Sequence, residues 1–156
     1  MKTLLLMLGL LMAALPAHAA PKAELWTRWV GADETSIQTV DHSAWERFLT
    51  TYVVARDDGI NRVRYGAVTS ADRDLLDRYI ATLSATPVTA LRRDEQRAFW
   101  INLYNAVTVQ VVLAFYPVKS IRDIRSGIFS AGPWGKELVT VEGIALTLDD
   151  VEHRIL

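Results

Sequence analysis

The residues best suited to chemistry lie in one mostly apolar stretch of the chain. Residues 98–107 are apolar on nearly every side of a helix, which predicts a helix buried all round. Asn102 and Asn105 would then be buried amides, and Glu95, seven residues before Asn102, lies on the same face. These groups need partners, because an unpaired buried amide costs about 1–3 kcal/mol and a lone carboxylate costs more.

Two interpretations of these three residues are open. In the structural one, Glu95, Asn102 and Asn105 tie a long core helix to a loop and fix one packing arrangement. In the functional one, they line a cleft in which Glu95 is a general base or ligand. The asparagines would then orient a substrate or stabilise an oxyanion. The pattern is less specific than a metal-binding or phosphate-loop motif.

His153 and its neighbour Glu152 form a second candidate site. Carboxylates crowd the start of the helix predicted there, where the helix dipole stabilises negative charge, so they have a structural explanation. A positive charge gains nothing at that position, so we expect His153 to be neutral and able to transfer a proton or bind a metal. A structural or surface role is the alternative, and His42 is expected at the surface. No spacing of histidines and carboxylates predicts a metal site, and no cofactor is expected.

Trp134 is a further candidate binding residue. It lies in the sequence Gly-Pro-Trp-Gly at residues 132–135, a loop that must turn sharply. An exposed indole there could close over a cleft as a lid or stack on a sugar. The alternative is that Trp134 covers the edge of the core as a plug.

Periodicity predicts a helix-rich α+β single domain with a late β-hairpin. A short strand or extended turn is expected at residues 61–68, and a hairpin is expected over 138–146 around Glu142-Gly143. The predicted helices run from Ser43 to about Asp57, from Ser70 to about Ala85, from about Ala90 to Phe115, and onward from Thr147. Ser43 with Glu46, and Thr147 with Asp150, match capping-box patterns.

The first 19 residues have the three parts of a cleavable secretory signal peptide. Lys2 gives the positive start, residues 4–15 form an apolar run, and Pro16 ends it before Ala17-His18-Ala19. The run is short for a spanning helix, which needs about 20 apolar residues. We therefore expect cleavage after Ala19 and a periplasmic or secreted protein without a membrane anchor. No later segment is expected to span a bilayer.

Residues 20–40 show no sustained period and predict a linker with two exposed tryptophans, Trp26 and Trp29. The domain would then occupy residues 41–156. The chain has 17 Lys and Arg against 18 Asp and Glu, a net charge of −1, and the charges are interspersed. Such a balance gives no reason to expect nucleic-acid binding. The chain contains no cysteine, which excludes disulfides, thiol catalysis and thiolate metal ligation by these residues.

Three blocks of the sequence resemble the domain of unknown function 547 family. Residues 93–106 (RDEQRAFWINLYNA) resemble its signature, and residues 116–124 (YPVKSIRDI) and 146–156 (LTLDDVEHRIL) match its next two blocks in order. Residues 45–52 and 63–68 fit its opening. The resemblance thus extends over most of the predicted domain.

The resemblance implies identity more than activity, since the family has none established. Family members continue past the last block with an arginine-rich link and a segment in which a histidine is followed by cysteines. The chain is therefore expected to be truncated at its carboxyl end, inside the fourth helix. The matched positions taken as site residues are Glu95, Asn102, Asn105, Glu152 and His153.

Two functions fit these expectations. The first is a hydrolase-like exported enzyme in which Glu95 or His153 is the base and the nucleophile comes from the segment not present in this chain. The second is a non-catalytic envelope module that binds a peptide, a glycan or a partner protein through the Trp134 loop. Substrate, reaction and partner are left open by the sequence.

Overall fold

The computed structural model describes residues 23–124 and 132–156 of the chain. The predicted signal peptide, residues 1–19, lies outside the described residues. The structure confirms the predicted helix-rich α+β arrangement with a late hairpin. Its elements are α1 (Ser43–Tyr52), β1 (Val53–Val54), β2 (Arg62–Val63), α2 (Ser70–Ser84), α3 (Arg93–Phe115), β3 (Glu137–Val141), β4 (Ile144–Thr147) and α4 (Leu148–Asp150), which continues as a π-helical turn (Val151–Ile155). Short 3₁₀ turns lie at Thr27–Trp29, Tyr65–Ala67, Val88–Ala90 and Ile121–Asp123.

Helices α1 and α2 begin at the predicted residues, Ser43 and Ser70, but the cap predicted for α1 is absent. The Asp41 carboxylate, rather than the Glu46 carboxylate, accepts the Ser43 N–H at 2.8 Å. The Glu46 N–H donates to the His42 carbonyl at 2.9 Å rather than to the Ser43 hydroxyl, and α1 has no side-chain capping bond from its preceding residue. The predicted capping box at Ser43 is therefore wrong. For α2 the cap is Thr69, whose hydroxyl accepts the Asp72 N–H at 3.1 Å. Both helices thus begin on an oxygen that satisfies a free backbone donor.

The long helix α3 forms the centre of the core. By length and composition it could cross a membrane, with a mean hydropathy of 1.5, so the expectation that no later segment is apolar enough was wrong. Half of the apolar stretch of α3 is buried inside the protein, and Phe99 and Leu103 are fully enclosed. The burial is not complete, because Ile101 is 41% exposed and Asn105 is exposed one turn further on.

One buried polar side chain fixes the start of α3. Gln96 is only 3% exposed, and its amide nitrogen lies 2.9 Å from the carbonyl oxygen of Gly31, 3.0 Å from that of Val88 and 3.2 Å from that of Leu91. Its amide oxygen accepts from the Arg93 guanidinium at 2.9 Å. The side chain therefore joins the helix, the 3₁₀ turn before it and the amino-terminal segment.

The amino-terminal segment packs on the domain. Trp29 is 4% exposed and meets the ring of Trp100 edge-on at 5.1 Å between centroids. The backbone N–H of Trp26 donates to the Arg154 carbonyl at 2.8 Å. The Arg154 guanidinium lies 4.3 Å from the Trp26 ring centroid. The prediction of exposed tryptophans in a linker is therefore wrong for Trp29, and Trp26 is partly buried.

The predicted hairpin is present and is fastened at its turn. Val141 pairs with Ile144, and Glu142 and Gly143 both have positive φ, 46° and 78°, as a type I′ turn requires. The Glu142 carboxylate accepts the Thr89 N–H at 2.8 Å and the Thr89 hydroxyl at 2.7 Å. This contact holds the turn against the segment that leads into α3.

Replacing Gln96 with methionine tests the buried amide. Q96M keeps the side-chain length but removes the Gln96 bonds to three carbonyls and the bond from Arg93, so we expect unfolding to become easier by about 2–3 kcal/mol. The measurement is urea denaturation followed by circular dichroism. The control is Q110M on the same helix, which removes one bond to Asp77 at a partly exposed site and should cost less than about 1 kcal/mol. Equal losses in the two variants would contradict the assignment.

Candidate acid–base site

The short helix α4 presents two adjacent carboxylates in different settings. Thr147 and Asp150 form the predicted capping box, with the Asp150 carboxylate accepting the Thr147 N–H at 3.0 Å and the Thr147 hydroxyl at 2.8 Å. Asp150 also accepts from Arg154 at 2.7 Å. The Asp149 backbone N–H donates to the Trp134 carbonyl at 3.1 Å. That bond sets the position of the Asp149 carboxyl relative to the Trp134 loop.

A tyrosine of α3 meets this helix. The Tyr104 hydroxyl donates to the Glu152 carboxylate at 2.7 Å, and the Trp134 indole is near enough to the same phenol to lower its pKa. Trp134 packs against the core rather than standing free. Glu152 and His153 lie in the π-helical turn, with His153 half-buried. The cluster therefore gathers residues from α3, the Trp134 loop and the last turn.

The environment changes how three of these groups titrate. Burial raises the pKa of Tyr104 to about 12, with further contributions from the Glu152 bond and charge. Burial also raises the pKa of Asp149, as do the charges of Glu152 and Asp150, while the charge of His153 opposes this. The pKa of Asp150 is lowered instead, because the Thr147 hydrogen bonds and Arg154 outweigh its burial. Neighbouring carboxyls are thus pushed apart in pKa, as in known acid–base pairs.

Glu95 lies elsewhere. Its carboxylate accepts the Val40 N–H at 3.3 Å, and its charge acts on His42. Glu95 and Tyr104 are two and a half helical turns apart, which places them on opposite faces of α3 and roughly 13 Å apart along its axis. The structure therefore does not bring Glu95 together with Glu152 and His153.

His42 was expected at the surface, but the structure places it partly inside. It is partly buried, and its Nδ1 lies 2.6 Å from the Tyr79 hydroxyl. Burial lowers the pKa of His42, with the charges of Glu95 and Asp41 opposing it, and burial raises the pKa of Tyr79. Sequence reasoning missed this pair because the two residues lie on different helical segments and no motif joins them.

The two asparagines are not the buried amides that the sequence predicts. Asn105 is exposed, and its amide donates to the Ile101 carbonyl of its own helix at 2.9 Å. Asn102 is partly buried. The buried amide of α3 is Gln96, which was not singled out because its neighbours in sequence are charged. Across residues 23–124 and 132–156, no group of three histidines and carboxylates could hold a metal ion.

The part of the sequence that contains this cluster is similar to a known protein family. Residues 88–156 match the model of a family described as "Protein of unknown function, DUF547". Over these residues the chain is similar to the DUF547 family. The matched DUF547 region contains α3, the hairpin and the last turn, and therefore the whole acid–base cluster. No curated protein and no solved structure matches the chain. The resemblance seen in the sequence also includes residues 40–87, which lie before the DUF547 match.

Removing the Glu152 charge tests this cluster by titration. In E152Q we expect the pKa of Tyr104 to fall from about 12 toward its ordinary value, and the pKa of Asp149 to fall as well, because a nearby negative charge is lost. Nuclear magnetic resonance of ¹³C-labelled tyrosine and aspartate measures both.

Two variants control this titration. W134F removes a donor that lowers the pKa of Tyr104, so that pKa should not fall. D94N removes an exposed carboxylate on the same helix and should leave both groups unchanged. An unchanged Tyr104 titration in E152Q would show that the phenol and Glu152 do not interact.

Proposed function

We propose that this protein is a hydrolase-like acid–base enzyme whose site is formed by Tyr104, Trp134, Asp149, Glu152 and His153. One observation carries the proposal: Asp149 and Asp150 are adjacent on α4, yet their pKa values shift in opposite directions. Asp150 serves the helix cap, whereas Asp149 is a partly buried carboxyl that keeps its proton to higher pH. Groups with such perturbed titration cluster at functional sites.

Two residues of the cluster suit the roles of general base and general acid. His153 takes a proton from water as the water oxygen bonds to an acyl carbon, and Asp149 gives a proton to the leaving group as its bond to that carbon breaks. The charges of Asp149 and His153 act on each other, and water can return the proton from His153 to Asp149 after the reaction. Tyr104 stays neutral at physiological pH and holds Glu152 by its hydrogen bond. Water is the nucleophile that these groups can activate.

The alternative, a binding module that uses Trp134 as a stacking platform, has less support. The Trp134 carbonyl accepts from the Asp149 N–H, its ring packs against the core, and its indole lies near Tyr104. A side chain packed in this way supports the site as a plug. It has less ring surface to offer to a sugar than a free lid would have.

Glu95 does not belong to the proposed acid–base site. It lies on the opposite face of α3 and accepts a backbone N–H from the amino-terminal segment. We therefore assign it a structural role, together with Asn105, which bonds to its own helix. Of the residues expected from the sequence to act as base, His153 is the one retained.

The activity test is a panel of p-nitrophenyl esters and p-nitroanilides, followed as release of coloured product. We expect hydrolysis of at least one class, and we expect D149N and H153A each to lower kcat/KM by about 100-fold or more, within the usual range for general acid–base groups. The control D94N changes the same charge at an exposed site and should keep full activity.

Two outcomes would contradict the acid–base proposal. One is a panel without any hydrolysis. The other is hydrolysis that survives in both D149N and H153A. Circular dichroism of each variant separates lost chemistry from lost folding.

We also propose that the protein is exported. The proposal is supported by the positive start, apolar run and small-residue site within residues 1–19. Expression in a bacterial host with fractionation should place the protein outside the cytoplasm, and intact-mass measurement should show Ala20 as the first residue. A leucine-to-arginine change within residues 4–15 should keep it inside with its leader uncleaved. Retention of the unmodified chain in the cytoplasm would refute export.

A further inference from the structure

A separate cavity lies on the other side of the Trp134 loop. It has a volume of about 420 Å³ and lies between α2, the carboxyl-terminal half of α3 and residues 133–138. Pro133 and Lys136 face it, whereas Trp134 between them contacts Tyr104. Its walls are mainly apolar and include Leu76, Val111, Leu113, Phe115, Ile124 and Leu138. Cavities of this size and lining are typical of sites for small ligands.

The charged side chains that line the cavity are two cations, Arg73 and Lys136, and one carboxylate, Asp77. Asp77 already accepts a hydrogen bond from Gln110 at 2.7 Å. Arg73 donates one guanidinium nitrogen to the Leu113 carbonyl at 2.8 Å, and Lys136 is exposed at the rim. Within the described residues, neither cation lies within 4.0 Å of a carboxylate. Residues 1–22 and 125–131 contain no Asp or Glu, so they offer no side-chain carboxylate either.

We propose that this cavity binds an amphipathic anion, with its apolar chain inside and its carboxylate at the rim beside Lys136 and Arg73. An apolar chain gains by leaving water for these walls. A carboxylate cannot follow it inward without a large desolvation cost, so it stays where cations and water meet it. Two cations against one hydrogen-bonded carboxylate favour an anionic ligand over a cationic one. The proposal does not rest on the acid–base site, because it concerns binding alone.

The probe is dodecanoate, titrated by calorimetry below the concentration at which it forms micelles. We expect saturable binding of one molecule per chain. Dodecanol, which has the same chain without charge, should bind at least 10-fold more weakly. Methyl resonances of Val111 and Leu113 should shift on binding, and those of Leu103, buried away from the cavity, should not.

Two matched pairs of variants test the location. K136E should weaken dodecanoate binding at least 10-fold, whereas K119E makes the same change at an exposed lysine that does not line the cavity and should bind normally. A114F places a ring in the cavity mouth from an exposed position and should abolish binding, whereas A71F, exposed on α2, should not.

Three results would overturn the proposal. They are binding that is not saturable, binding that is equal in K136E and K119E, and binding that persists in A114F while the Val111 methyls stay unshifted. The D149N variant should bind dodecanoate normally. Loss of hydrolysis without loss of binding therefore separates this site from the acid–base site.

Discussion

The rest of the structure depends on the burial of α3. Every polar side chain on the buried faces of this helix must be paired, because an unpaired one costs about 1–3 kcal/mol. Gln96 meets this requirement by bonding to three carbonyls from two other segments. The amino-terminal segment, the turn before α3 and the helix thus form one unit, and the rotation of α3 about its axis is fixed.

Much of this fold could be predicted because it follows from local patterns. The hairpin turn needs two residues with positive φ, and Glu142-Gly143 indicates it. The Thr147–Asp150 capping box is likewise a four-residue pattern. The packing of residues 23–42 was missed for the opposite reason. Trp29 is buried by Trp100, far along the chain, and nothing in the residues around Trp29 has a period that would indicate a buried face.

The candidate site was predicted in part. Glu152 and His153 could be selected because carboxylates and a histidine are consecutive there, and the structure places Glu152 beside a third group. That third group, Tyr104, lies 48 residues away from Glu152, a pairing that sequence spacing cannot show. Glu95 and Asn105 were selected on the assumption that α3 is buried all round. Once α3 has a defined rotation, Glu95 faces Val40 and Asn105 faces solvent.

Stability alone does not account for Asp149. The cap of α4 is complete with Thr147 and Asp150. Burial and the charges of Glu152 and Asp150 raise the pKa of Asp149, the charge of His153 opposes them, and no hydrogen bond from residues 23–124 or 132–156 contributes to the shift. Its raised pKa means that the folded state binds its proton more tightly than the unfolded chain does. Stability from this group is therefore greatest at low pH and is lost as pH rises through the raised pKa. A fold would be more stable at neutral pH with an uncharged residue there. A carboxyl kept at such a cost, beside His153 and Glu152, is better explained by what it does with its proton than by what it contributes to packing.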